Sequence, residues 1–274
     1  MNGERVGTFI ATKEHRRFTE FAEAVRKHRY VGLCYGAAGV GKTLSARRYA
    51  HWDVAGPVIE AWNGCGRSKE KKINEALSRS RTVFHTPTVL GTLRDLKDTL
   101  GEHIDRVDTC IDSHVHRDAK GPRVITHEEF HVEMLIFDEA ERLSVTALEF
   151  IRDIFDRRGV GVILIGMPGM EKRLSRYPQL YSRVGFAHHY RPLQGDELSF
   201  VLTRHWRKLG LALDEADFTD TQAIASIARI TGGNFRLLHR LFVQIERILK
   251  INGLSVITDD VVEAARSTLV IGAA

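Results

Sequence analysis

The sequence predicts an α/β fold: a core with a mostly parallel sheet, followed by a small all-helical domain. Three observations support this prediction. A glycine-rich stretch, GAAGVGKT at residues 36–43, lies between a short apolar run and a helix-forming run. A second apolar run ends in two adjacent carboxylates, Asp138 and Glu139. Strand and helix patterns alternate up to Pro192, whereas only helical patterns follow it.

Each element of the core is predicted from its own pattern. Residues 12–28 form the first helix, because their apolar residues recur at intervals of three and four and their end is basic. Short apolar runs predict strands at 30–35, 57–62, 132–137, 160–166 and 186–190. Helical patterns predict helices at 44–50, 89–104 and 144–158, the last between Ser144 as N-cap and Gly159 as stop. This alternation predicts a parallel sheet covered on both faces.

The glycine-rich stretch matches the phosphate-binding pattern G-x-x-x-x-G-K-[ST] in full. Glycines allow a tight turn whose backbone N–H groups face phosphate oxygens, and the following helix presents the positive end of its dipole. We expect Lys42 to reach the β and γ phosphates and the Thr43 hydroxyl to hold Mg²⁺. The alternative, a turn without chemistry, is disfavoured by the flanking strand and helix. The predicted nucleotide contacts are Gly36, Ala37, Ala38, Gly39, Val40, Gly41, Lys42, Thr43 and Leu44, and the predicted cofactors are ATP and Mg²⁺.

The two carboxylates after the run at 132–137 predict the hydrolytic part of the site. Ligands bind at the carboxyl ends of buried parallel strands, so Asp138 is expected beside the glycine-rich loop, where it binds Mg²⁺ through water. Glu139 is expected to be the base that polarises the attacking water. Two acids that merely end a strand and cap a helix are the alternative, which the phosphate loop disfavours because it predicts such a strand.

Residues after Pro192 form a separate helical domain in this prediction. At 274 residues the chain exceeds the size at which one core usually stops growing. Thr258 is a predicted N-cap, followed by acids suited to a first turn. The predicted helices are 196–209, 221–230, 235–252 and 259–268. We therefore predict two domains, 1–191 and 192–274.

Composition limits the binding partners, the cellular location and the cysteine and histidine chemistry that we expect of the protein. The net charge of +5 favours a polyanionic partner about as much as a solvated basic face. No apolar run approaches the roughly 20 residues of a membrane span, and the N-terminus is too polar for a signal peptide, so we expect a soluble cytoplasmic protein with no membrane partner. Cys34, Cys65 and Cys110 lack the spacing of a disulfide framework or zinc site. His114 and His116 are interpreted as part of a polar loop.

These motifs resemble the AAA+ ATPases, in which a nucleotide-binding core carries a helical lid. Four segments are most similar to transposon ATPases of the TniB and TnsC type, relatives of the phage Mu B protein and, more distantly, of origin-recognition initiators. The segments are GLCYGAAGVGKTLSARRYA, LIFDEAERL, LIGMPGMEKRLSRYPQLYSRVGF and TGGNFRLLHRL. The resemblance implies a P-loop (ASCE, AAA+) three-layer core over 1–191 and a helical lid over 192–274.

The resemblance also implies roles for residues outside the phosphate loop. Arg236 falls where the family's lid arginine touches the γ-phosphate, with an ordinary surface arginine as the alternative. Arg183 matches the arginine that a neighbouring subunit inserts into the site to aid catalysis, and Arg173 and Arg176 are rivals for this role. Met167 stands where members usually carry a polar residue, and it cannot hydrogen-bond usefully, so hydrolysis is expected to be slow.

The function that the resemblance implies is ATP-dependent regulation of DNA transposition. ATP would assemble the chain on double-stranded DNA as a homo-oligomeric ring or helical filament, and the assembly would recruit or activate a transposase. The alternatives are a replication initiator or helicase loader, and a nucleotide-gated scaffold that does not bind DNA. DNA contacts are expected in the loops 86–97 and 112–123, with Arg94 and Lys97 as candidates. These contacts would tolerate any sequence, since no base-reading motif is present.

Overall fold

The computed structural model describes residues 9–62, 70–116 and 130–269. Within them, five parallel strands form one sheet in the order β2-β3-β4-β1-β5. The strands are β1 (Val31–Tyr35), β2 (Thr82–His85), β3 (Met134–Phe137), β4 (Gly161–Gly166) and β5 (Val184–His189). The predicted parallel sheet is confirmed, and every strand in it runs the same way.

Helices surround and follow the strands. Their bounds are α1 (Lys13–His28), α2 (Lys42–Tyr49), α3 (Trp52–Glu60), α4 (Glu70–Ser80), α5 (Leu93–Val115), α6 (Val145–Arg158), α7 (Met170–Leu174), α8 (Pro178–Tyr181), α9 (Asp196–Lys208), α10 (Phe218–Thr231), α11 (Phe235–Asn252) and α12 (Asp259–Ser267), with a 3₁₀ turn at Ala140–Arg142. The four helices predicted after Pro192 are confirmed as α9 to α12. No described helix is long and apolar enough to cross a membrane.

The chain separates into two compact units. The sheet unit comprises Arg17–Gly36 and Lys42–His189, and the helical unit comprises Ala37–Gly41 with the described parts of 1–16 and 190–274. In the helical unit, Trp206 is buried and packs edge-on against Phe242 at 5.4 Å between ring centroids. The domain boundary after residue 191 stays a prediction.

The strand predicted at 57–62 is wrong. This segment belongs largely to α3, and one edge strand of the sheet is β2, for which no strand was predicted. Trp52, Ala55 and Ile59 are buried in α3 at helical spacing, so the apolar stripe begins upstream of Pro57. The residues from Pro57 onwards exclude most of that stripe, so the adjacent Val58 and Ile59 resemble the apolar run of a strand.

Helix boundaries differ from the prediction chiefly around α5. The helix predicted at 89–104 begins after Thr92, which forms a capping box with Asp95, and continues to Val115. The start of the polar loop predicted at 112–123 is therefore helical. The predicted caps at Ser144 and Thr258 and the left-handed stop at Gly159 are confirmed.

Candidate nucleotide-binding site

Lys42 is the first residue of α2 and points back to the start of the glycine-rich loop. Its side chain is buried, and its Nζ donates to the Gly36 carbonyl at 2.7 Å. A buried ammonium needs acceptors to offset its loss of hydration. The Gly36 carbonyl is one such acceptor at the position where phosphate oxygens are expected to bind.

The loop Ala37–Gly41 has a backbone that requires glycine at two positions. Gly39 and Gly41 have φ of 80° and 116°, in the region that side chains rarely adopt. Within the helical unit, Asn234 Nδ2 donates to the Ala38 carbonyl at 2.7 Å, and the Arg236 N–H donates to the Gly39 carbonyl at 3.1 Å. The N-terminus of α11 therefore holds the loop through two backbone carbonyls.

Asp138 directly follows β3 and lies beside Thr43. Only 4% of its surface is exposed, and its backbone N–H donates to the His85 carbonyl of β2 at 2.9 Å. Burial raises the pKa of Asp138, while a hydrogen bond from the Thr43 side chain opposes that shift. The predicted proximity of Asp138 to the glycine-rich loop is therefore found, through Thr43.

Thr43 and Asp138 fit the magnesium ion expected with a nucleotide. Both offer oxygen ligands, which Mg²⁺ prefers, and a cation would relieve the cost of the buried carboxylate. Among the described residues, no group of three or more His, Cys, Asp or Glu side chains could hold a metal ion. Mg²⁺ in nucleotide sites commonly uses one or two protein groups together with phosphates and waters, so two residues suffice. When bound, the ion would supply positive charge beside the phosphates.

Glu139 adopts a left-handed backbone conformation and is already paired. Its φ of 47° is unusual for a residue with a side chain, and such outliers gather at functional sites. Its carboxylate forms an ion pair with Arg142. Arg142 also donates from Nη1 to the Pro87 carbonyl at 3.0 Å. Arg142 was not singled out in the sequence, where only its spacing of three residues from Glu139 could have indicated it.

The three arginines considered for action on a neighbouring subunit differ in what holds them. Arg183 donates from Nε and Nη2 to the two carboxylate oxygens of Asp156 at 2.7 and 2.8 Å. Arg173 donates to backbone carbonyls that include Glu141, at 2.6 Å. The guanidinium of Arg176 is exposed and has no hydrogen-bond or ion-pair partner within the described part of the chain.

The candidates for contacts with phosphates and DNA lie on helices. Arg236 is exposed on the first turn of α11. Arg94 on α5 is 89% exposed and lies 3.7 Å from Asp98, whereas Lys97 packs over the Phe150 ring at 5.1 Å. Met167 follows β4 and is exposed.

Two further sets of residues from the sequence analysis have definite places. Cys34 and Cys110 are buried, and Cys65 lies outside the described residues. His114 is helical rather than part of a loop, and His116 ends α5 with its Nδ1 at 2.9 Å from Asp112. The last part of the loop predicted at 112–123 lies outside the described residues.

Comparison with known proteins identifies relatives along most of the chain. Residues 25–174 match the family described as AAA domain. A potential ATP-binding protein of Staphylococcus aureus is 42% identical over 96% of this chain and 97% of its own length. The Mu-like prophage FluMu DNA transposition protein B of Haemophilus influenzae is 24% identical over 85% of this chain and 71% of its own length.

Solved structures share the fold at low identity. The Holliday junction branch migration motor RuvB of Thermotoga maritima has a TM-score of 0.55 and 18% identity, over 93% of this chain and 68% of RuvB. The ADP form of the ORC2 protein of Aeropyrum pernix has a TM-score of 0.55 and 14% identity, over 97% of this chain and 70% of ORC2. The parallel sheet, the matched family and the S. aureus relative agree, and the chain belongs to the AAA domain family of P-loop ATPases.

Proposed function

We propose that this ATPase is a DNA-binding regulator of transposition of the TniB and TnsC type. The observation that carries the catalytic part is the contact of buried Asp138 with the Thr43 side chain, with Glu139 next to it at the carboxyl end of the sheet. The similarity to a Mu-like transposition protein B supports the biological setting. ATP would assemble the chain on duplex DNA as a ring or filament, and that assembly would recruit or activate a transposase.

Hydrolysis in this proposal depends on four side chains and on the backbone of the glycine-rich loop. Lys42 would exchange the Gly36 carbonyl for β and γ phosphate oxygens, and the backbone of Ala37–Gly41 would cradle the phosphates. Glu139 would accept a proton from water as the water oxygen attacks the γ-phosphorus, and ADP would leave with the bridging oxygen. Arg236 would bind the γ-phosphate from the same chain. Arg183 of a neighbouring subunit would offset the charge that develops on the phosphoryl group.

DNA recognition in this proposal uses phosphate contacts. The net charge is +5, and Arg94 extends into solvent next to the loop that follows β2. Lys97 is a weaker candidate, because its ammonium is engaged with Phe150. Such contacts release counterions, so affinity should fall steeply with salt and depend little on sequence.

The test combines ATP hydrolysis with DNA binding. We expect unrelated duplexes to stimulate the ATPase similarly and to bind only when ATP is present. The affinity for DNA should fall by about 10³-fold between 50 and 200 mM salt if six phosphates are contacted. Lys42→Ala should abolish both ATP and DNA binding. Absence of any DNA effect would favour the nucleotide-gated scaffold instead. If a transposase is encoded beside this chain, stimulation of its integration activity would separate a transposition regulator from a helicase loader.

A further inference from the structure

A cavity lies at the carboxyl end of β2 in the sheet unit. Its volume is about 300 Å³, at the lower end of the range of roughly 300–1,000 Å³ for small-molecule sites. Its lining comes from α2, α3, α5, the loop between β2 and α5, and residues 142–147 at the start of α6. None of the residues 36–44, 138 and 139 lines it. The cavity is therefore separate from the residues of the phosphate loop and from the two carboxylates after β3.

Four aromatic rings line the cavity in mutual contact. The Trp52 ring lies at an angle to those of Phe84 and His103, with 6.2 and 5.7 Å between the ring centroids. The His103 ring meets the His85 ring edge-on at 6.0 Å. All four side chains are buried, and a lining of this kind suits a flat ligand that can stack on aromatic side chains.

The two imidazoles of this lining are buried without hydrogen bonds to the protein. Only 7% of His85 and 9% of His103 is exposed, and neither ring is hydrogen-bonded to another residue in the described part of the chain. Burial lowers the pKa of both, to about 4 for His85, so both rings are neutral at pH 7. A neutral imidazole has one N–H donor and one acceptor nitrogen, and buried polar groups are normally satisfied. The lining therefore offers donors and acceptors that the fold itself does not use.

The charges at the cavity favour an uncharged ligand. Arg47 forms an ion pair with Asp53 at 2.8 Å. Arg142 forms one with Glu139, so neither of these lining arginines is an unpaired cation for a phosphate. The Glu60 carboxylate also lines the cavity and would repel an anion. A hydrocarbon, in turn, would leave the imidazoles without partners. These properties together fit an uncharged flat ring whose edge carries both donors and acceptors.

We propose that this cavity binds a nucleobase. The faces of a nucleobase stack on aromatic side chains, and its edge presents the donors and acceptors that neutral imidazoles complement. The base can come from a free nucleoside or from a DNA strand in which it is unpaired. The loop between β2 and α5 lines the cavity and ends next to Arg94, a candidate DNA contact. Only the DNA source rests on the proposed function.

The first arm of the test uses a free nucleoside. We expect 2-aminopurine riboside, whose fluorescence falls when it stacks, to be quenched when it is titrated with the full chain. His103→Phe keeps a ring next to Trp52 but removes both nitrogens, and it should weaken binding about three- to tenfold, the factor of one neutral hydrogen bond. Thr99→Phe, at an exposed position that lines the cavity, should obstruct it and abolish the quenching.

His205→Phe is the matched control. His205 is also a buried imidazole, and its Nε2 has no hydrogen-bond partner within the described ranges. Its ring stacks on Phe242 in the helical unit and does not line the cavity. This variant should bind the riboside as the parent does, so a loss confined to His103→Phe and Thr99→Phe assigns the base to the cavity.

The second arm places the base in DNA. With ATP present, a duplex that carries one 2-aminopurine opposite an abasic site is compared with the same duplex in which the 2-aminopurine pairs with thymine. A base that enters the cavity should change its fluorescence only in the first duplex. His103→Phe should reduce that change and Thr99→Phe should remove it, while the affinity for the paired duplex stays as in the parent.

The two arms give distinct outcomes. A signal in either arm that the two cavity variants weaken and His205→Phe keeps upholds the proposal, and the arm that shows it identifies the source of the base. No signal in either arm, or one that persists unchanged in both cavity variants, would overturn it. If the chain binds neither duplex, the proposed function fails instead. The riboside arm alone then decides whether the cavity holds a base.

Discussion

Arg183 is held within its own chain by Asp156, and this competing contact allows a quantitative test of whether hydrolysis needs the arginine of a neighbouring subunit. Its bidentate hydrogen bonds lower the pKa of Asp156. A partly exposed pair of this kind contributes only about 0.2–1 kcal/mol. An arginine supplied to a transferring phosphoryl group accelerates the reaction by about 10³–10⁵-fold. The contact with Asp156 is thus weak enough for Arg183 to exchange it for a phosphate of the adjacent subunit.

Three substitutions separate this role from a structural one. Asp156→Asn removes the competing charge and should raise the ATPase rate of assembled protein by up to about fivefold, the equivalent of 1 kcal/mol. Arg183→Ala should lower it by about 10³-fold without weakening ATP binding. Arg157→Ala is the control, because it breaks an exposed ion pair with Asp153 at 2.8 Å on α6, the helix that also carries Asp156. This variant should leave the ATPase rate unchanged.

Mixed assemblies then show whether Arg183 acts across the interface. Glu139→Gln and Arg183→Ala should each be inactive, but an equal mixture should regain roughly a quarter of the parent activity in a head-to-tail assembly of random order. A mixture that demonstrably assembles and stays inactive would refute the role of Arg183. Arg176, whose guanidinium is exposed, would be the next residue to test, before the carbonyl-bound Arg173.

Two further predictions concern the loop and the pH. Gly39→Ala should weaken nucleotide binding at least tenfold in an ATP titration, because the φ of Gly39 is left-handed and an added Cβ would lie 2.6 Å from Asn234 Oδ1. Gly253→Ala is the control, since Gly253 is also left-handed but has open space around it. This control should cost only about 1 kcal/mol of stability and leave the ATP affinity unchanged. Burial lowers the pKa of His205 to about 4 in the folded protein, whereas the same imidazole has a pKa near 6.5 in the unfolded chain. The unfolded chain therefore binds the proton more readily, and folding stability should fall as the pH drops from about 6.5 to 4. His205→Phe, which preserves the ring stacking on Phe242, should flatten the dependence of the urea midpoint on pH, and an unchanged slope would contradict the assignment.

The sequence predicts the fold best where apolar runs are long and end in a recognisable motif. Strands β3 and β4 are continuous apolar runs, and their burial in the centre of a parallel sheet explains that pattern. Strand β2 escapes prediction because it has only four residues and buries Thr82 and His85 alongside two apolar ones. Buried Thr82 is satisfied locally, because its hydroxyl donates to the Ser80 carbonyl at 2.6 Å. Short strands of this composition resemble loops until their neighbours are known.

The candidate site shows the same limit in chemical terms. Residue types and spacing indicate which groups could bind phosphate or accept a proton, and the Thr43–Asp138 contact lies where that reasoning expects it. The catalytic roles of these residues stay predictions. The hydrogen bonds next to the site were not predictable, because Arg142 and Asn234 donate to the backbone carbonyls of Pro87 and Ala38, 55 and 196 residues away. Every residue carries such a carbonyl, so no pattern of side chains marks the ones that accept.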